Sequence, residues 1–369
     1  MPFASEGVET GIALALSGGG FRATLFHIGA CRRLLELGVL TKLDRISSVS
    51  GGSIFSGVLA SAWNGLLRDP TVANYEKAVV QPLRQFCRQS IDTVAVGEGL
   101  LTPWKSVADA VEDKYRSELI QISLDQLPDR PRFVFNATNL QTGRSFRFSK
   151  PYMGDYLIGL IRNPTVALAK VVAASSAFPP FLSPVILDQP GTFEAVPGAI
   201  YNNNPAYTAK LYLSDGGVYD NLGLETVWNR YTTVLVSDAG APFGIGDKVE
   251  TDWIKQTLRA LDVATDQSRA LRKRALIADF QQKVRAGTYW GIDTNISNYL
   301  LPDALACKAS VVEPLAQIRT RLNPFTDTEQ ELLINWGYAL SDAAVRKYAP
   351  ELVVTKSQPS WPYPGRALG

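Results

Sequence analysis

Residues 11–16 are a short apolar run bounded by glycines, the pattern of a parallel strand buried on both faces. From Ala23 to Leu37 the spacing turns helical. Leu25, Phe26, Ile28, Gly29, Leu34 and Leu35 make a broad apolar face, Arg32, Arg33 and Glu36 are left for water, and Gly38 is placed as the stop. A second strand is predicted at 45–49 and a second helix from Gly51 to Trp63, with further strands at 132–137, around 209–213, and at 232–237. Strands alternating with helices imply an α/β fold with a mainly parallel sheet. The stretch from Asp69 to Pro131 is mixed and aromatic-bearing, and is expected to be a helical insertion placed to cover a site. Beyond about residue 245 long helices are predicted: 250–283 is helix-rich, and Thr326-Asp327-Thr328-Glu329 opens a helix over 327–347 with a capping box. The sequence contains no linker, repeat or low-complexity break. Residues 241–369 are therefore expected to be a helical extension on the same domain, and the tail 357–369, with Pro359, Pro362 and Pro364, a surface strap or an unstructured end.

Composition narrows the chemistry. The chain has 369 residues, enough for a full core without staples, and its three cysteines, Cys31, Cys87 and Cys307, are too far apart for a zinc or redox motif. With 37 basic and 35 acidic residues, the net charge of +2 gives no global field for nucleic acid. The first residues lack a basic and apolar leader, and no stretch approaches the ~18 apolar residues of a spanning helix, so a soluble cytoplasmic protein is expected. One histidine, His27, serves the whole chain. A Ser-His-Asp triad is hard to build from it.

Three segments carry the candidate chemistry. Val49-Ser50-Gly51-Gly52 fits a nucleophile elbow, a serine on a tight strand-to-helix turn flanked by very small residues, with Ser48 where such elbows carry their first glycine. The helix beginning at Gly51 aims its first amides at the reacting oxygen. Gly18-Gly19-Gly20, directly after the first strand, is either a phosphate cradle or an oxyanion loop. The dinucleotide fingerprint fails at Ala23, and the lysine of a phosphate-binding P-loop is missing. Arg22 either braces this loop or adds positive charge to the oxyanion site. The third segment, Asp215-Gly216-Gly217, ends a strand, and alone it also fits an ordinary turn.

The conjunction of G-G-G-x-R at 18–22, x-S-x-G at 48–52, A-S-S-A-F-P-P-F-L-S-P-V at 174–185 and D-G-G at 215–217 resembles the patatin-like lipid acyl hydrolases. The resemblance covers roughly residues 10 to 240, and Asn136 to Gly143 and Ser237 to Gly240 also look like bacterial members. It implies a three-layer α/β/α fold and a serine-aspartate dyad without histidine. Ser50 would be the nucleophile, Asp215 its base, and the amides of Gly18, Gly19 and Gly20 the oxyanion hole, with no metal or organic cofactor. The substrate class implied is an acyl ester of a lipid, foremost a glycerophospholipid, met at a membrane surface. A small-ester esterase, an acyltransferase and a silent lipid-binding module of the same fold are the alternatives; analysis of products and fluorophosphonate labelling would separate them. His27 is expected to be a packed, hydrogen-bonded helix residue, and Asp220 and Asn221 to fold the loop that presents Asp215. The Pro179-Pro180 corner with Phe178 and Phe181 either lines an acyl groove or is a rigid turn. Arg269, Arg272, Lys273 and Arg274 form either a solvated helix face or a contact with an anionic membrane.

Overall fold

The computed structural model describes residues 7–91, 107–180, 182–246, 249 and 251–369. In chain order its strands are β1 (Glu9–Leu16), β2 (Arg45–Val49), β3 (Arg132–Asn139), β4 (Arg144–Phe148) and β5 (Tyr152–Asp155), followed by β6 (Gly159–Arg162), β7 (Val185–Asp188), β8 (Lys210–Asp215), β9 (Tyr231–Asp238) and β10 (Ala286–Gly291). They form one sheet with the path β10-β9-β1-β2-β3-β4-β5-β6, while β8 pairs with β3 and β7 with β8. The centre, β10 to β3, is parallel, as the alternating pattern predicts. The flank from β4 to β6 and the β7–β8 pair are antiparallel additions.

The principal helices are α1 (Gly20–Glu36), α2 (Gly51–Arg68), α3 (Val107–Glu118), α4 (Leu168–Ser176), α5 (Trp253–Gln281), α6 (Ala309–Gln317) and α7 (Asp327–Tyr348). They cover both faces of the sheet, and β1 shows how. Leu14 and Leu16 join the core beneath α1, α2 and α7, whereas Ala13 and Ala15 face the other way, into a second cluster with Val234, Val236 and Leu276 of α5. This is the expected three-layer α/β/α arrangement, and it explains why β1 carries apolar side chains at every inner position.

Residues after 240 are continuous with this body: β10 extends the sheet, and α7 lies against α1. Their backbones meet at two glycines, since a Cβ on Gly29 would overlap the Ile334 carbonyl and one on Gly337 the Phe26 carbonyl. The capping box at Thr326 is formed, with its hydroxyl and the Glu329 carboxylate each taking a first-turn amide. The tail is a strap: Asn335 Nδ2 donates to the Tyr363 and Arg366 carbonyls at 2.9 Å, and Leu368 is fully buried. Of the insertion expected at 69–131, the described part is helical at Val72–Phe86 and α3, and residues 92–106 lie outside the described residues.

Candidate active site

Ser50 occupies the single residue between β2 and α2, at φ 53 and ψ −122, a conformation that costs a non-glycine residue ~1–3 kcal/mol. The turn is this tight because the helix starts against the neighbouring loop. A Cβ on Gly51 would overlap the Gly20 carbonyl, and one on Gly52 would sit 2.6 Å from the Leu16 carbonyl oxygen and 2.7 Å from that of Ser17. Only glycine permits this approach, which is the elbow signature read physically. Thr24 pins the crossing by donating to the Gly51 carbonyl at 2.8 Å. Ser48, in the place of the usual first glycine, causes no clash, because its hydroxyl turns inward and accepts from Ser53 at 3.0 Å.

Sheet register brings the aspartate to the serine. Val49 pairs with Asn136 of β3, and the next β3 residue, Ala137, pairs with Asp215 of β8. The end of α4 then locks the two turns together. The Ser175 carbonyl accepts from Ser50 N–H at 3.1 Å and from Gly216 N–H at 3.2 Å, and the Ala177 carbonyl accepts from Asp215 N–H at 2.9 Å. Asp215 is 1% exposed and Ser50 is 9% exposed. Burial pushes the Asp215 carboxyl up to about 7, only partly offset by the Ser50 hydroxyl and the Gly217 N–H. Its Oδ1 accepts from Gly217 N–H at 2.6 Å, while Oδ2 is buried without an aligned partner among the described residues. The Ser50 hydroxyl is thus near enough to stabilise the carboxylate, but the pair is not drawn up into a regular hydrogen bond, a common state of unliganded acid–base pairs.

The glycine loop commits one of its amides to structure. Gly18 N–H donates to the Asn221 carbonyl at 3.0 Å, so this predicted oxyanion donor is already spent. Gly19 and Gly20, at φ 138 and φ 56, keep N–H groups that bond to nothing among the described residues, as does Gly51 at the start of α2. Of the two roles expected for Arg22, the structure shows the loop brace. Its guanidinium donates to the carbonyls of Ala316 and Ile318 at 2.8 Å and of Ala239 at 2.7 Å, so it braces the loop against the C-terminal segment instead of facing the oxyanion. The brace uses carbonyls because the segment it holds, 316–318, is at a helix end with orphan acceptors. Asp220 and Asn221 do fold the loop after Asp215: Asp220 accepts from the N–H groups of Leu222 and Glu225, and Asn221 holds Gly18.

His27 is fully buried on α1. Its Nε2 lies 3.0 Å from the Ser17 carbonyl and must donate there, leaving Nδ1 to accept from the Ser237 hydroxyl at 2.9 Å. Burial lowers its pKa to about 4, so the ring is neutral, and both nitrogens are occupied in tying β1 to β9. His27→Gln is accordingly expected to keep turnover of a soluble nitrophenyl ester within about tenfold, where loss of a working base costs ~100-fold or more. A preserved circular dichroism spectrum with a loss as large as that of a Ser50 variant would restore the imidazole to the reaction.

Ser175 is the residue that sequence reasoning passed over, although it sat inside a recognised motif. Besides its carbonyl, its hydroxyl donates to the Asn136 carbonyl at 2.6 Å, accepts from Ser50 N–H at 3.2 Å, and lies 2.8 Å from the Ser53 hydroxyl. This places one side chain under the elbow, the β3 exit and the start of α2. Ser175→Ala is expected to lower kcat by about tenfold with KM nearly unchanged, because one lost hydrogen bond loosens the elbow without touching a binding surface. Recovery in Ser175→Thr would mark the hydroxyl as the cause.

The Pro179-Pro180 corner follows directly, with Phe178 42% exposed; Phe181 lies outside the described residues. Among the described residues no cluster of three His, Cys, Asp or Glu side chains could hold a metal ion. In the basic run on α5, Arg274 is exposed, while Arg269, Arg272 and Lys273 are half-buried and engaged with the body of the protein. Arg272 pairs with Asp220 at 3.5 Å and Glu225 at 3.3 Å, Lys273 sits 4.5 Å above the Tyr289 ring, and Leu271 points outward at 59% exposure.

The family model described as "Patatin-like phospholipase" matches residues 14–228. No curated protein matches the chain. Among solved structures, human GIVD cytosolic phospholipase A2 is similar over 90% of this chain and 61% of its own, at 12% identity and a TM-score of 0.47. VipD from Legionella pneumophila covers 90% of this chain and 66% of its own, at 14% identity and a TM-score of 0.34. The chain thus spans about three fifths of the length of the human enzyme chain it resembles. The elbow, the aspartate turn and the glycine loop all fall within the span of the family model, and the chain belongs to the patatin-like phospholipase family.

Proposed function

We propose that this protein is a serine hydrolase of lipid acyl esters, working through Ser50 and Asp215. The observation that carries the reading is a strained, nearly buried serine set beside a carboxyl whose burial raises its basicity to about 7. Asp215 Oδ2 takes the Ser50 hydroxyl proton as Oγ attacks the ester carbonyl carbon. The carbonyl π electrons move to oxygen, and the free amides of Gly19, Gly20 and Gly51 receive that oxyanion. Collapse expels the alcohol, which takes the proton back from Asp215 and leaves an acyl-serine. Water then gives a proton to Asp215 and attacks the acyl carbon; collapse returns the proton to Ser50 Oγ and releases the fatty acid. Every proton and electron pair is handled by these residues and water, so the scheme asks for no cofactor.

A glycerophospholipid is the substrate class that family membership favours, reached at a membrane surface. No helix among the described residues is long and apolar enough to cross a membrane. The test is incubation of the purified protein with a mixed lipid extract, with parallel fluorophosphonate labelling. Release of fatty acid and lysolipid, together with labelling at Ser50, is the expected result; labelling without product, or product without labelling, would overturn the scheme.

A further inference from the structure

Arg269 of α5 lies beside Asp238 at the end of β9. Its side chain is 11% exposed, and among the described residues it donates no hydrogen bond; its nearest counter-charge, Asp238 Oδ1, is 3.8 Å away. Asp238 is otherwise satisfied, taking the Tyr289 hydroxyl at 2.7 Å and the Gly240 N–H at 2.8 Å. A guanidinium carries five donors, none of Arg269's is among the buried atoms without a partner, and so its donors are accessible to an anion. The contrast with its neighbours is sharp: Arg22 is consumed by three carbonyls and Arg272 by two carboxylates.

The guanidinium is also close to the chemistry. A Cβ on Gly240 would overlap Arg269 Nη1 and sit 2.9 Å from Asn221 Nδ2, with Asp238 Oδ1 at 3.0 Å. Asn221 Oδ1 in turn would be overlapped by a Cβ on Gly18, and that same Cβ would lie 3.0 Å from the Ser50 Cβ. Ser50, Gly18, Asn221, Gly240 and Arg269 therefore form a contiguous row, with the side-chain amide of Asn221 at its centre and no hydrogen bond from that amide among the described residues. We propose that Arg269 Nη1 and Asn221 Nδ2 form a phosphate subsite beside the nucleophile that receives the headgroup phosphate of a phospholipid whose acyl ester lies at Ser50. Asp238 Oδ1 holds Arg269 in position, and the several acceptor oxygens of a phosphate can bridge both donors.

This rests on the acyl hydrolase reading, and the two are separable by experiment. In the first arm, Ser50→Ala protein is titrated with glycerol 3-phosphate and with inorganic phosphate by calorimetry, alone and with Arg269→Gln added. Binding that is lost in Arg269→Gln and kept by Ser50→Ala supports the subsite whether or not the protein hydrolyses esters; glycerol 3-phosphate binding more tightly than phosphate identifies a lipid headgroup as the source. In the second arm, hydrolysis of a short-chain phosphatidylcholine is compared with that of an uncharged nitrophenyl ester of the same chain. Arg269→Gln is expected to lower kcat/KM for the phospholipid by about tenfold to a hundredfold and leave the nitrophenyl ester within about twofold, with Asn221→Ala acting in the same direction and Arg269→Lys partly retaining the preference. An equal fall on both substrates by both Arg269 variants, or no phosphate binding by the Ser50→Ala protein, makes Arg269 a counter-ion of Asp238 alone and overturns the proposal.

Discussion

Ser50→Ala is expected to abolish ester hydrolysis, by roughly a thousandfold to a millionfold, while circular dichroism and melting stay close to the parent. The size of the loss follows from covalent chemistry: among the described residues no other hydroxyl near Asp215 is free to replace it. The Ser53 and Ser175 hydroxyls are engaged with each other and with Ser48 and the Asn136 carbonyl, and Ser47 Oγ donates to the Gly223 carbonyl at 2.6 Å. The fold should persist because the elbow geometry is imposed by Gly51, Gly52 and the Ser175 carbonyl, none of which uses the Ser50 side chain. Alanine keeps the positive φ no worse than serine does. The measurement is turnover of a soluble nitrophenyl ester by protein purified free of host esterases, beside fluorophosphonate labelling of both forms. Residual turnover within tenfold of the parent would remove Ser50 from the reaction.

The sequence displayed what local chemistry fixes. A strand buried on both faces, a helix with one apolar stripe, and glycines where a strand and helix nearly touch each leave a signature within a dozen residues. The three motifs around Ser50, Asp215 and Gly18 to Gly20 were legible for this reason. The antiparallel flank was not, because β4 to β6 are four or five residues each and mix buried aromatics with Arg144, Arg147 and Arg162. β8 was legible as a strand but its antiparallel pairing with β3, which delivers Asp215 to Ser50, depends on a contact between residues 77 positions apart at Thr138 and Asp215.

Charge was the more misleading signal. The α5 run read as a solvent or membrane group because basic side chains are rarely buried, and Arg22 could be read as either brace or oxyanion charge. Here positions 269, 272, 273 and 276 share the inner face of α5, so three cations and Leu276 point at the sheet while Leu271 faces water. The acids that draw them in, Asp220 and Asp238, are on loops far away in sequence, and no pattern within the helix announces them.

Asp215→Asn is expected to match the loss in Ser50→Ala while raising stability at neutral and alkaline pH. The amide fills the same volume and still accepts the Gly217 N–H, but it cannot take the serine proton. The stability sign follows from the raised pKa. A carboxyl that titrates near 3.8 when unfolded and about 7 when folded favours the native state in its protonated form, so its contribution is complete below about pH 4 and is lost as pH rises through about 7. Above that pH the parent folds around a buried, imperfectly paired carboxylate that asparagine does not impose. The advantage of the variant in melting temperature should therefore grow as pH rises from about 4 to about 7, and be larger at pH 8 than at pH 5. Activity of the parent must run the opposite way, since the base works only when ionised: kcat/KM for a nitrophenyl ester should rise with pH and level off above about 7, the apparent value belonging to the free protein. A parent pH profile flat from 5 to 8, combined with an Asp215→Asn variant that reacts with a fluorophosphonate at the parent's rate, would leave Asp215 as a turn residue and Ser50 in need of another base.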